Sequence, residues 1–162
     1  MITGILIPHD DEQPIKVVQV DAEDVPTMQG IVEGSFEVHN FDAPAGSIFS
    51  NDEAMLWSLP HNHRATILLW QHAKELRGHV YIAGNALLAG MPDGRGCTKS
   101  APAELVKLLT ETQSYRVELL HDPKGAWRPD RTPFDNWVDA YNHALITERT
   151  FATVKSARVV GA

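Results

Sequence analysis

Apolar residues in this chain fall into short alternating runs separated by proline, glycine and paired polar residues, with three longer stretches at helical spacing. Ile2, Ile5, Leu6 and Ile7 predict a first strand over 2–7. The polar stretch His9 to Pro14 is a turn, and the β-branched run Ile15 to Val20 predicts a second strand, the two forming a hairpin. Phe36, Val38 and Phe41 alternate with polar neighbours and predict a half-buried strand over 35–41. Shorter strand-like pieces follow at 47–50 and 54–57, divided by the turn pair Asn51-Asp52. Further strands are expected within 79–88, interrupted by Gly84-Asn85, and then at 115–120 and 153–160.

Helical spacing appears four times. Residues 21–31 give a short helix, with Asp24 as cap, Pro26 in the first turn and Met28, Ile31 and Val32 on one face. Asn62 caps a stronger one over 62–76, in which Ala65, Leu68, Leu69, Ala73 and Leu76 form a single stripe ended by Gly78. A glycine-rich loop at 92–100 leads to a helix over 101–112, with Leu105, Leu108 and Leu109 facing inward. Thr132-Pro133-Phe134-Asp135 reads as a cap and first turn for the last helix, whose face carries Phe134, Trp137, Val138, Tyr141 and Leu145. Leu69 and Trp137 sit mid-stripe and are expected in the core.

Helices mixed with hairpin-like strands, without regular strand–helix–strand alternation, point to α+β: a mostly antiparallel sheet with about four helices packed on it. Strands 2–7, 15–20 and 35–41 are expected in one sheet with helix 62–76 on its face. No repeat, low-complexity tract or linker divides the chain, so 1–162 is expected to be a single domain, a size that encloses a core.

Charge changes the picture more than composition does. The net charge is −7, and it is uneven. Residues 1–80 carry 12 acidic and 4 basic side chains, whereas 81–162 carry 9 and 10. An acidic first half argues against direct nucleic-acid binding, which needs a basic patch for phosphates. The longest apolar run, Ile67 to Trp70, is too short to span a membrane, and Met1 to Pro8 lacks the basic and long apolar segments of a secretory signal. The expected location is the cytoplasm, the host's if the protein is phage-encoded, with no membrane association.

Candidate chemistry is sparse. Cys97, in the loop Gly94-Arg95-Gly96-Cys97, is the sole cysteine, so neither an internal disulfide nor a cysteine-rich zinc site can form. His61 and His63, with His72 as a third partner, are the only metal-ligand grouping; two positions apart on a helix, the first two point opposite ways. No dinucleotide-binding, P-loop, nucleophile-elbow or zinc-protease string occurs. No catalytic residue, metal ligand or cofactor is therefore assigned. Trp70 and Trp137 belong to helix stripes, which leaves Trp127, after a turn, as the expected exposed contact aromatic.

Three blocks carry a family resemblance. Met28-Gln29-Gly30-Ile31-Val32-Glu33-Gly34 leads into the strand to Phe41. Asn51-Asp52-Glu53 precedes Leu59-Pro60-His61-Asn62-His63-Arg64-Ala65-Thr66. Val80 to Gly90 is centred on Gly84. Over roughly residues 1–90 the chain resembles DUF3846, a domain family of bacteriophages, plasmids and their bacterial hosts, many of them actinobacterial. It departs in having Glu33 where a second glycine often sits and an extra aspartate after Asn51. The resemblance implies a phage or mobile-element source and brings no activity. Residues 91–162 form the C-terminal helix–strand part.

Together these readings lead to a non-catalytic accessory protein that binds a host protein, with His61, Asn62, Arg64, Arg95 and Trp127 as hypothetical binding residues. Two alternatives stay open: a small histidine-dependent enzyme or ligand-binding domain using His61, His63 or His72, and a homo-oligomeric structural protein. No stoichiometric metal or nucleotide is expected in the purified protein.

Overall fold

The computed structural model describes all 162 residues. The architecture is α+β, built from eight strands and four α-helices. The chain divides into two compact units, Met1–Val106 and Lys107–Ala162, each with its own antiparallel sheet in place of the one sheet expected.

The first unit contains β1 (Ile2–Ile7), β2 (Lys16–Val20), α1 (Val25–Val32), β3 (Phe36–Asp42), β4 (Ala45–Asn51), α2 (His63–His72), a 3₁₀ turn at Lys74–Leu76, and β5 (Ala86–Ala89). Its strands run in the order β2-β1-β5-β4-β3, every pair antiparallel. The three strands expected to share a sheet do share it. The late, short β5 lies at the centre, flanked on both sides, which is why Ala86-Leu87-Leu88-Ala89 is apolar throughout and does not alternate.

Register assigns the two faces. Leu87 and Ala89 lie beside Phe49 and Val20 under α1, whose buried Met28 and Val32 complete that core. Gly4 makes room for it, since a Cβ there would come within 2.9 Å of Leu87 Cδ1. Ile5, Ile48, Ala86 and Leu88 occupy the opposite face, where α2 lies and His72 stacks on Phe41 at 5.3 Å.

α2 departs from the single stripe expected of it. Seven of its ten residues are buried, including Arg64, Thr66 and Gln71, so it is covered all round. The sheet takes one side. The segment 77–83, a turn over 77–79 followed by extended chain, takes another, through Trp70 Nε1 donating to Val80 O and Arg77 Nε donating to Trp70 O. Strand is expected over 79–88, but outside β5 that stretch makes only the isolated bridge His61–Ala83. Residues 54–57, also expected as strand, form a helical turn.

α3 (Ala103–Thr110) runs across the boundary between the units. The second unit contains β6 (Tyr115–Leu120), β7 (Arg128–Phe134), α4 (Trp137–Thr150) and β8 (Ser156–Gly161), in the strand order β7-β6-β8. Here the capping assignment moves. Thr132 to Phe134 end β7, and Asn136 is the N-cap, its side chain accepting from Asp139 N. β7 escapes the alternation rule because it is an edge strand carrying Pro129 and Pro133, which need no ladder partner on their outer side. α4 buries Trp137 and Tyr141, edge-to-face at 5.5 Å, against Val117, Ala157 and Val159. No helix in the chain is long and apolar enough to cross a membrane.

Candidate functional site

Two buried asparagines bracket the connection from β4 to α2. Asn51, the last residue of β4, donates from Nδ2 to Val32 O (3.1 Å) and Glu33 O (3.2 Å), and its Oδ1 accepts from Glu53 N (2.7 Å). Asn62 is 0% exposed. Its Nδ2 donates to Ile7 O and Gly84 O, both at 2.9 Å, while Oδ1 caps α2 by accepting from Ala65 N at 3.0 Å. Its backbone N–H donates to Ile82 O. Every hydrogen-bonding group of Asn62 is thus used inside the fold, so it is an anchor and no ligand can reach it. Thr66 Oγ1 extends the same lock, accepting from Ile82 N and donating to Asn62 O.

Between these clamps the backbone makes one helical turn with a left-handed end. Trp57 N donates to Glu53 O, Ser58 N to Met55 O, and Leu59 N to Ala54 O. The last two bonds and Ser58 at φ 51° make a Schellman cap, closed on its apolar side by buried Ala54 and half-buried Leu59. Trp57 Nε1 donates to Glu53 Oε2 at 3.0 Å, and Asp52 accepts from Ser35 Oγ at 2.6 Å. The turn is therefore fixed at both ends and internally, and what it holds outward is Met55, Leu56 and Trp57, respectively 81%, 80% and 68% exposed.

Of the five residues expected to bind, four belong to the first unit and Trp127 to the second, and Asn62, Arg64 and Trp127 are engaged within the fold. Arg64 is buried; its Nη2 donates to Pro8 O and Asp10 O, and Nε lies 3.6 Å from Asp11 Oδ1, an ion pair too long for a hydrogen bond. Burial pushes its pKa down, opposed by the carboxylates of Asp11 and Asp10, so this guanidinium staples the β1–β2 loop to α2. His61 is exposed beside Tyr81 and His63, with ring centroids 6.3 Å away in both cases. Arg95 is exposed in a loop organised by Asp93, whose Oδ1 accepts from Arg95 N and Cys97 N. Trp127 is half-buried, with the Arg158 guanidinium 4.2 Å above its ring, so it is not the freely exposed aromatic expected. That description fits Trp57, which a strand assignment for 54–57 had placed in a regular element.

The histidine grouping does not assemble. His72 is packed on Phe41 with Nδ1 3.2 Å from Ala43 O, and burial pushes its pKa down to about 4. No three His, Cys, Asp or Glu side chains are placed to hold a metal ion together. His143 Nε2 lies 2.7 Å from Asp130 Oδ2 and ties α4 to β7. Asp130 is burdened by desolvation, yet its pKa is lowered on balance by His143 and Thr132.

The bracketing asparagines, the turn between them and the glycine segment after α2 lie in the blocks that carried the resemblance. A family profile described as a domain of unknown function, DUF3846, matches residues 2–114. The chain belongs to this family. The DUF3846 match extends past the first unit and ends immediately before β6, well beyond the first ninety residues on which the resemblance rested. Both asparagine clamps and the apolar turn lie inside it. Comparisons with curated proteins and with solved structures gave no match.

Proposed function

We propose that this DUF3846 protein is a non-catalytic accessory protein of a phage or mobile element, acting in the host cytoplasm by binding a host protein. The observation that carries the reading is the presentation of Met55, Leu56 and Trp57 to solvent on a turn locked at both ends. Three consecutive large apolar side chains bury little of their surface in the fold where they stand. Exposed apolar clusters on an otherwise polar surface mark interaction sites. Tryptophan and methionine also suit contact roles, the first as a large anchor and the second as an adaptable filler. Asn62 and Arg64 support the presentation by fixing the start of α2 and so the exit of the turn. Direct nucleic-acid binding is disfavoured, because the turn sits in an acidic part of the chain.

The test is affinity capture from lysate of a permissive bacterial host, comparing the wild type with a Met55→Ser, Leu56→Ser, Trp57→Ser variant. These side chains are exposed, so the variant should melt within a few degrees of wild type. The reading expects one or more proteins retained by the wild type and lost by the variant, followed by quenching or a blue shift of Trp57 emission on titrating the purified partner. Identical retention by both proteins would reject it.

A further inference from the structure

Resting on the protein-binding reading, we infer that the Met55-Leu56-Trp57 turn enters an apolar pocket on its partner whose rim carries lysine or arginine. From Val17 to His63 the chain has no lysine or arginine and eight carboxylates. Two of these, Asp52 and Glu53, are exposed and immediately precede the apolar residues. Both are already oriented, Asp52 by Ser35 Oγ and Glu53 by Trp57 Nε1, so they stand at defined places beside the anchor.

A partner closing over the turn would bring its own surface against these carboxylates and remove water from them. Unpaired, that desolvation opposes binding; met by cations, it favours binding and speeds encounter. The positive charge is to come from the partner: the partners of these carboxylates within the chain are the uncharged Ser35 hydroxyl and Trp57 indole N–H, and the nearest basic residues in sequence are Lys16 and the buried, engaged Arg64. A second copy would set the same acidic stretch against itself. An anionic membrane would repel it, although tryptophan and leucine alone would suit an interface. Preorganisation adds the last element. The Schellman cap and the Asn51 clamp fix the backbone before contact, so little ordering cost remains on association.

The experiment places the photo-crosslinker p-benzoylphenylalanine at Leu56 in the full chain, with controls at Val38 on β3 and Ile146 on α4, and irradiates cells making the protein. The inference expects a single protein adduct from position 56, mapped by mass spectrometry to an apolar segment flanked by lysine or arginine. With that partner purified, Trp57→Ala should weaken binding by about 30-fold or more, the level of an interface anchor. Asp52→Asn with Glu53→Gln, which keep both acceptors, should slow association severalfold at low salt and flatten its salt dependence. An adduct to a second copy of the chain, to lipid or to an acid-rimmed surface would overturn the inference. So would binding unchanged by Trp57→Ala. Adducts from the control positions but not from 56 would leave protein binding standing and place it on another surface. No adduct from any position would remove both.

Discussion

Replacing Asn62 with alanine deletes three hydrogen bonds and strands three backbone groups in a place water does not reach. Ala65 N–H loses its cap acceptor, and the carbonyls of Ile7 and Gly84 lose their donors. A lost cap costs about 1 kcal/mol, and each buried hydrogen bond contributes roughly 0.5–1.5 kcal/mol net, more when the abandoned partner stays dry. The expected loss is about 3–5 kcal/mol, at the top of the range for one substitution. Asn62→Asp is the sharper variant. It keeps the oxygen that accepts from Ala65 N but turns the second position from a donor to two carbonyls into an oxygen facing them. Near neutral pH it should cost at least as much as alanine, with partial recovery in acid, where the protonated carboxyl regains one donor. Urea unfolding gives the loss as a midpoint shift at unchanged slope, and amide exchange within α2 localises it to the first unit. A loss below about 1 kcal/mol for Asn62→Ala, or an aspartate variant more stable than the alanine one at pH 7, would refute the anchoring role.

Three further outcomes follow from the same geometry. His72 is held neutral by burial, with its folded pKa near 4 against an ordinary 6.5, so its contribution is fully present above about pH 6.5 and is lost as the pH falls towards 4. Up to about 3 kcal/mol is at stake, and the stability–pH profile should flatten in that window in His72→Gln. Ser58 occupies the left-handed region at φ 51°; Ser58→Gly should stay within about 1 kcal/mol of wild type, whereas Ser58→Val should lose about 1–2 kcal/mol by thermal melting. Leu69→Ala and Trp137→Ala should each cost roughly 2–5 kcal/mol in chemical denaturation, and a value inside 0.5 kcal/mol would remove that residue from the core.

The candidate site was only partly legible in the sequence. Asn62 was readable as a cap because an asparagine before an apolar periodic run has a local physical meaning. Its two other bonds were not, since Ile7 and Gly84 lie 55 and 22 residues away. Arg64 looked available for the same reason: the carbonyls that hold it come from Pro8 and Asp10, in a distant turn. Trp127 looked exposed because Arg158, which covers it, arrives with β8. Met55-Leu56-Trp57 is ambiguous in sequence because a short apolar run fits a strand and an exposed turn equally well until its neighbours are known.

Local pattern determined the α+β class, the positions of most strands, the helix starting after Asn62 and the apolar face of α1, because period and capping chemistry are written within a few residues. On α4 it placed Trp137 and Tyr141 inward but not Ala140 and Ala144, and Phe134 belongs to β7. It also determined the uneven charge, with no lysine or arginine from Val17 to His63. Tertiary structure alone decided that β5, late in sequence and short, would stand at the centre of its sheet, and that α2 would be enclosed on every side. It decided as well which polar residues are spent inside the fold and which apolar ones are left outside it. Those outcomes depend on contacts between residues tens of positions apart, which no local spacing encodes.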